Sequence, residues 1–279
     1  MSDHSQLEIP ESQPDNLPAE GQPQEPEEGQ LQIKPQRIMV RLPRGPVVAT
    51  YVIIAITVIV YLLQMFGGSF LFPDLSCPYF QTSDIAACYG LKVNELILSG
   101  QLWRLIAPIL LHGSLLHIAF NMYALNALGP DLERHFGLPS FLALYLVSGF
   151  AGFVLSFLMT ASPSLGASTA IFGLLGAQGV FVYRNQRVFG PRARAALTGI
   201  INIAVINFII GLSPGIDNWG HFGGLLGGAL FAWLAAPVYE IGGEAPEYDL
   251  VNTRAEGLTP LVFVGVFFLF ALLAATRFF

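Results

Sequence analysis

The chain has 279 residues, 53% of them hydrophobic and only 11% charged. Soluble domains carry about 25% charged residues, so a soluble globular protein is excluded and a membrane protein is implied. The formal net charge of −6 belongs to one end: eight of the 19 acidic residues fall in the first 28 positions, which hold no Lys or Arg, leaving 13 basic and 11 acidic side chains elsewhere. No nucleic-acid partner is expected. The two cysteines form no CxxC pair and are too few for a metal framework.

Residues 1–45 read as a tail. As far as Gln32 it is rich in Pro, Glu, Gln and Ser and too poor in apolar residues to offset the entropy of ordering, so disorder is expected. It lacks the basic start and early apolar core of a signal peptide. Lys34, Arg37, Arg41 and Arg44 then form a basic collar. The first apolar run, 47–66, is about the length a bilayer requires. A long loop, 67–100, carries Cys77 and Cys88, which can bridge or remain two thiols. The segment 102–112 is apolar but interrupted by Trp103, Arg104 and Pro108, and is assigned partly to the interface. Further spans are read at 114–128, 138–160, 168–183, 195–212 and 219–238. Six spans thus fill a core of 46–238. A polar, acidic linker at 239–258 separates them from a seventh span within 259–279. The expected fold is an all-α polytopic bundle of six transmembrane helices plus one at the C-terminus.

Basic residues set the expected orientation. The collar lies before span one, and Arg184, Arg187, Arg192 and Arg194 lie between spans four and five. Both groups fall on one side, taken as the cytoplasm of a multi-pass protein of the cell membrane. The starts of spans four and six then face outward, as does the loop with the two cysteines.

Those outward ends hold the chemistry. Ser168 follows Pro163 and Gly166, which break the preceding segment, and opens the apolar run of span four. At a helix N-terminus the backbone N–H groups are unpaired and the field favours negative charge, as the oxyanion of an acyl-transfer intermediate requires. Helix packing or capping is the plain alternative for a serine between small residues. His221 is an ionisable residue inside span six, which by default marks a functional candidate; a structural histidine bonded to a carbonyl is the alternative. Gly220, Gly224 and Gly228 repeat every four residues and line one face, and Gly173 with Ala177 makes a similar small face on span four. The two helices can therefore pack closely, with Ser168 and His221 at the same end. His117 and Asn121 are four apart and share a helix face, where both can donate to an oxyanion or serve as polar glue between helices. No carboxylate lies inside any of the seven spans, which leaves a Ser–His dyad as the available nucleophile and base. HExxH and paired intramembrane aspartates are absent, so neither zinc nor aspartyl chemistry has a residue set.

Taken together, these pieces resemble the rhomboid family of intramembrane serine proteases. The resemblance runs from about Val47 to Val238. Trp103-Arg104 is similar to the family's Trp-Arg pair, and His112, His117 and Asn121 match its HxxxxHxxxN pattern. Glu133-Arg134 matches a Glu-x-Arg region loosely, one residue short of the usual spacing. Gly166-Ala167-Ser168 matches the nucleophile motif, and His221-Phe222-Gly223-Gly224 with Gly228 matches the base helix. The resemblance implies Ser168 as nucleophile and His221 as general base. It implies an oxyanion hole of His117, Asn121 and the Ser168 N–H. It further implies no cofactor, and substrates that are single-span membrane proteins with small residues at the cut. Two departures stand out. Thr169 replaces a glycine and is expected to narrow the site; Phe172 replaces a tyrosine, keeping a ring able to pack under His221 but no phenol.

Two rivals of other classes remain. A non-catalytic membrane chaperone on the same bundle conflicts with the retained Ser168 and His221. A small-solute transporter conflicts with the lack of an internal repeat. Span four also predicts depth. From 168 to 183 a helix rises roughly 24 Å against a hydrocarbon core of about 30 Å, so Ser168 is expected below the outer surface in a water-filled pocket.

Overall fold

The computed structural model describes residues 6–7, 38–41, 45–66, 77–244, 247–254 and 257–279. Apart from the short strands at 6–7 and 38–41, the tail lies outside the described residues, and so do the side chains of the basic collar. Seven long helices take up the seven apolar runs. They are α1 (Ala49–Phe66), α4 (Leu115–Phe136), α5 (Leu138–Met159), α6 (Ser168–Arg184), α8 (Pro191–Ile210), α9 (Asn218–Ala235) and α10 (Leu258–Ala275). Three short helices join them: α2 (Ile85–Gly90), α3 (Asn94–Leu98) and α7 (Gln186–Phe189). The interrupted segment after α3 forms two 3-10 turns, Leu102–Leu105 and Ala107–Leu110.

Four helices, α1, α5, α8 and α10, are long and apolar enough to cross a membrane by length and composition. The other three carry the polar and glycine residues that distinguish the interior of the bundle. Helix α5 is central: 72% of its apolar window is buried, against 22% in α1, 17% in α10 and 6% in α8, so these last three face lipid over most of their surface. Helix α8 rests mainly on α6, and Ala193 is its one buried residue.

Helix α9 is clamped between α6 and α5 by glycines on two faces. A Cβ on Gly224 would run into the Thr169 carbonyl, and one on Gly228 into the Gly173 carbonyl, so the α6 face tolerates no side chain. On the α5 face a Cβ at Gly223 would lie 2.7 Å from the Ala151 carbonyl. Close backbone approach of this kind, rather than hydrophobic transfer, holds helices together in lipid.

The ends are tied by polar contacts. The Glu133 carboxylate, 1% exposed, accepts from the N–H groups of Val48 and Ala49 at 2.7 Å and Thr50 at 2.8 Å, and from the Thr50 hydroxyl at 2.7 Å. It caps the N-terminus of α1, whose first N–H groups have no helical acceptor. The stretch between α9 and α10, read from sequence as a linker, folds into a hairpin of β3 (Tyr239–Glu244) and β4 (Glu247–Asn252). β4 pairs in parallel with β2 (Ile38–Arg41), and β2 pairs antiparallel with β1 (Gln6–Leu7), giving the order β1-β2-β4-β3. The Asn185 side chain roots the hairpin: it accepts from the Tyr239 N–H at 2.7 Å and donates to the Phe181 and Pro237 carbonyls.

Candidate active site

The loop before α6 brings Ser168 to position. Gly166 has φ +130, which favours glycine, and a Cβ there would lie 2.8 Å from His117 Nε2 and 3.5 Å from Ser168 Oγ. One atom-sized space is therefore flanked by both side chains. Gly166 donates its N–H to the Pro108 carbonyl at 2.9 Å. Ser168 is the first residue of α6, so its own N–H is among those without an intrahelical acceptor.

His221 is the fourth residue of α9, on the face that meets α6. Its Nε2 lies 2.9 Å from Ser168 Oγ. Phe172 stacks under the imidazole with centroids 4.3 Å apart and planes at 11°. Among the described residues nothing hydrogen-bonds His221 Nδ1. Asp217 lies four residues earlier but is engaged elsewhere. Its carboxylate accepts from the Gly220 N–H at 2.9 Å, capping α9, and from the Ser156 hydroxyl of α5. It thus fixes the end of α9 that carries the histidine, without acting as the third member of a triad.

His117 and Asn121 lie on α4, as their spacing requires. Asn121 donates one N–H to the His117 carbonyl at 2.9 Å, leaving its second N–H. His117 is stabilised locally: its N–H donates to the Ser114 hydroxyl at 3.2 Å, the N-cap contact of α4. His112 packs edge-on to His117 with centroids 5.0 Å apart. The sequence places His112 only in a motif; in the structure it is buried beside the Ala167 N–H, which lies 3.5 Å from its Nε2.

Thr169 does not narrow the site. It is buried with its methyl against Gly220 and its Cβ against Gly152, between helices and away from Ser168 Oγ. The expectation failed because a residue one step along a helix points about 100° away.

Two supports hold the loops beside the site, and the first has no sequence signal. Lys92 is fully buried, and its ammonium donates to the carbonyls of Thr160 at 2.8 Å and Ser162 at 3.0 Å. Its backbone exchanges two hydrogen bonds with Ser164, and Asn94 donates to Thr160 and Phe157. Together they pin the loop leading to Ser168. Burial pushes the Lys92 pKa down to about 8. The second support is a disulfide, Cys77–Cys88, before α3: of the two states the sequence left open for these cysteines, the structure has the bridge. Arg104, fully buried, donates to the Cys88 and Leu91 carbonyls at 2.7 Å, and Trp103 donates to the Tyr89 carbonyl at 2.9 Å. The Trp-Arg pair is therefore structural, holding that loop on the bundle.

Comparison with known proteins bears on the family. A family model described as "Rhomboid domain" matches residues 99–238, half of the chain. The chain is similar to "Rhomboid protease GluP" of Bacillus subtilis (strain 168), 40% identical over 181 residues, 64% of this chain and 33% of that protein. It is also similar to two proteins of Arabidopsis thaliana. One is "RHOMBOID-like protein 5", 39% identical over 168 residues, 59% of this chain and 52% of the relative. The other is "RHOMBOID-like protein 9, chloroplastic", 33% identical over 171 residues, 61% and 38%. The chain thus spans a third to about half of these relatives' length.

Proposed function

This chain belongs to the rhomboid family, and on that footing we propose that it is an intramembrane serine endopeptidase that cleaves within or beside the transmembrane segments of other membrane proteins. The observation that carries the proposal is the 2.9 Å contact between Ser168 Oγ and His221 Nε2. His221 Nε2 takes the hydroxyl proton as Ser168 Oγ attacks the scissile carbonyl carbon. The tetrahedral oxyanion forms beside the Ser168 N–H, with His117 Nε2 and the second N–H of Asn121 as side-chain donors. His221 then returns the proton to the leaving amine, and a water repeats the sequence in reverse to free the acyl group. The stacked Phe172 holds the imidazole plane in place of a third polar residue.

The site opens at the membrane end where α6 begins. Helix α6 has 17 residues and rises about 26 Å, short of a hydrocarbon core of about 30 Å, so its N-terminus sits below the surface and its loop needs a wet surround. The orientation that places this end outside the cytoplasm follows from the basic residues between α6 and α8 and in the tail.

The test is cleavage of a tagged single-span substrate by purified protein in liposomes. Ser168→Ala and His221→Ala should each abolish cleavage, and the double variant should be no worse, because residues acting as one unit do not add. Full activity in folded Ser168→Ala would refute the mechanism; near-wild-type activity in His221→Ala would refute the base.

A further inference from the structure

At the end of the bundle opposite Ser168 and His221, the C-terminal ends of α4 and α9 meet the N-terminal ends of α5 and α10. They enclose a polar cavity of about 180 Å³ lined by His135, Ser140, Asn252, Arg254 and Thr259. One covalent fact draws two arginines to this end of α9. The Trp233 carbonyl, near the end of α9, would accept from residue 237 in a continuing helix, but Pro237 has no N–H. The carbonyl is left open at the negative end of the helix dipole, and two guanidinium groups take it: Arg184 at 2.8 Å and Arg254 at 3.2 Å. Among the described residues no carboxylate pairs with either arginine. Partial burial, and after it the neighbouring Arg184 on the same carbonyl, hold the Arg254 pKa below its usual value. An anion beside Arg254 would relieve that repulsion. Ser140 and Thr259, 2.8 Å apart, add hydroxyls at the same rim, where the first N–H groups of α10 have no helical acceptor.

An apolar groove of about 380 Å³ lies between α9 and α10, lined by Leu230, Leu234, Leu261, Val262, Gly265 and Leu269. On α10 it begins one helical turn from the polar cavity: Leu258 lines the cavity and Leu261 and Val262 the groove. Trp233 and Tyr183 stack at this level, with Arg184 over the Trp233 ring at 5.3 Å, an arrangement typical of headgroup depth. A lipid of the ordinary annulus would need the apolar groove alone. Here a hydroxyl-bearing cavity lined by Arg254 lies one turn of α10 from the groove.

We infer that the cavity and the groove form one binding site for an anionic glycerophospholipid, its phosphate against Arg254 and the Ser140–Thr259 rim and an acyl chain along the α9–α10 groove. A basic pocket between helix ends suits an anionic headgroup electrostatically. The site is independent of the catalytic residues and gives the C-terminal helix a role as one wall of a lipid seat.

Native mass spectrometry of the full chain released from nanodiscs tests this. With palmitoyl-oleoyl phosphatidylglycerol one lipid should stay bound, and with palmitoyl-oleoyl phosphatidylcholine none. Arg254→Gln should reduce retention about fivefold, the effect of about 1 kcal/mol per basic residue. Gly265→Leu offers a second variant: a Cβ there meets no atom within 4 Å, so leucine fills the groove without displacing backbone, and retention should fall again. Should Arg254→Gln fail to fold, Gly265→Leu decides alone. Equal retention of phosphatidylcholine, thermal protection by free glycerol phosphate matching that of the lipid, or unchanged retention in both variants would each overturn the proposal.

Discussion

Glu133→Gln probes the joint between α1 and α4. The carboxylate accepts four hydrogen bonds, two on each oxygen, and three of them come from the first N–H groups of α1. Glutamine keeps one acceptor oxygen, which can still serve Val48 and Ala49. Its NH2 group then faces the Thr50 N–H, donor against donor, while the Thr50 hydroxyl can turn to accept. One buried N–H is left without a partner, at about 1–3 kcal/mol. Loss of the charge also removes the anion from the helix N-terminus, worth about 0.3–1 kcal/mol at exposed sites and up to about 2 when partly buried. The sum is about 1–5 kcal/mol. At about 2–4 °C per kcal/mol for a domain of some 200 residues, the unfolding midpoint should fall by about 3–20 °C. The measurement is thermal unfolding in detergent, followed by serine-directed fluorophosphonate labelling of the protein that remains folded. Labelling per folded molecule should match wild type, because Glu133 lies at the end of α4 remote from His117. An unchanged midpoint with labelling abolished would refute the structural role.

Gly228→Ala should separate α9 from α6, since the new methyl meets the Gly173 backbone rather than a side chain that can move; overpacking costs about 1–3 kcal/mol, and cleavage should fall with stability, whereas Gly265→Ala, in open space, should change neither. His117→Ala and Asn121→Ala should each slow cleavage by about 10²–10³-fold without abolishing it, because the Ser168 N–H remains; complete loss in either, with the fold intact, would mean a role beyond oxyanion binding. Lys92 binds fewer protons folded, where its pKa is about 8, than unfolded, where it is 10.5. Stability should therefore rise with pH between about 8 and 10.5, and a thermal-unfolding series should show that rise in wild type and a flatter profile in Lys92→Met. Equal slopes would remove Lys92 as its source.

Much of this protein follows from sequence alone. Seven apolar runs announce seven helices because lipid leaves the backbone few other ways to satisfy its polar groups. The i, i+4 spacing puts His117 and Asn121 on one face, and the Gly220, Gly224 and Gly228 repeat makes a bare face, because helix geometry is local and periodic. Ser168 stands out as the residue that opens a helix after a break. Tertiary structure alone decided the rest, and for one reason: each remaining feature joins residues far apart in the chain. Glu133 caps a helix 84 residues earlier, and Lys92 grips carbonyls 68 and 70 residues later. Neither residue belongs to a local pattern that would announce its partner. The composition of 239–258 marks a linker, yet its hairpin depends on Asn185 and on a strand from the tail. By sequence Thr169 falls inside the site, and only the α5 and α9 backbones place its side chain between helices. The second glycine face of α9, at Gly223 and Gly227, was in plain view but had no meaning until α5 lay against it. Periodicity tells which residues share a face; only packing tells what that face meets.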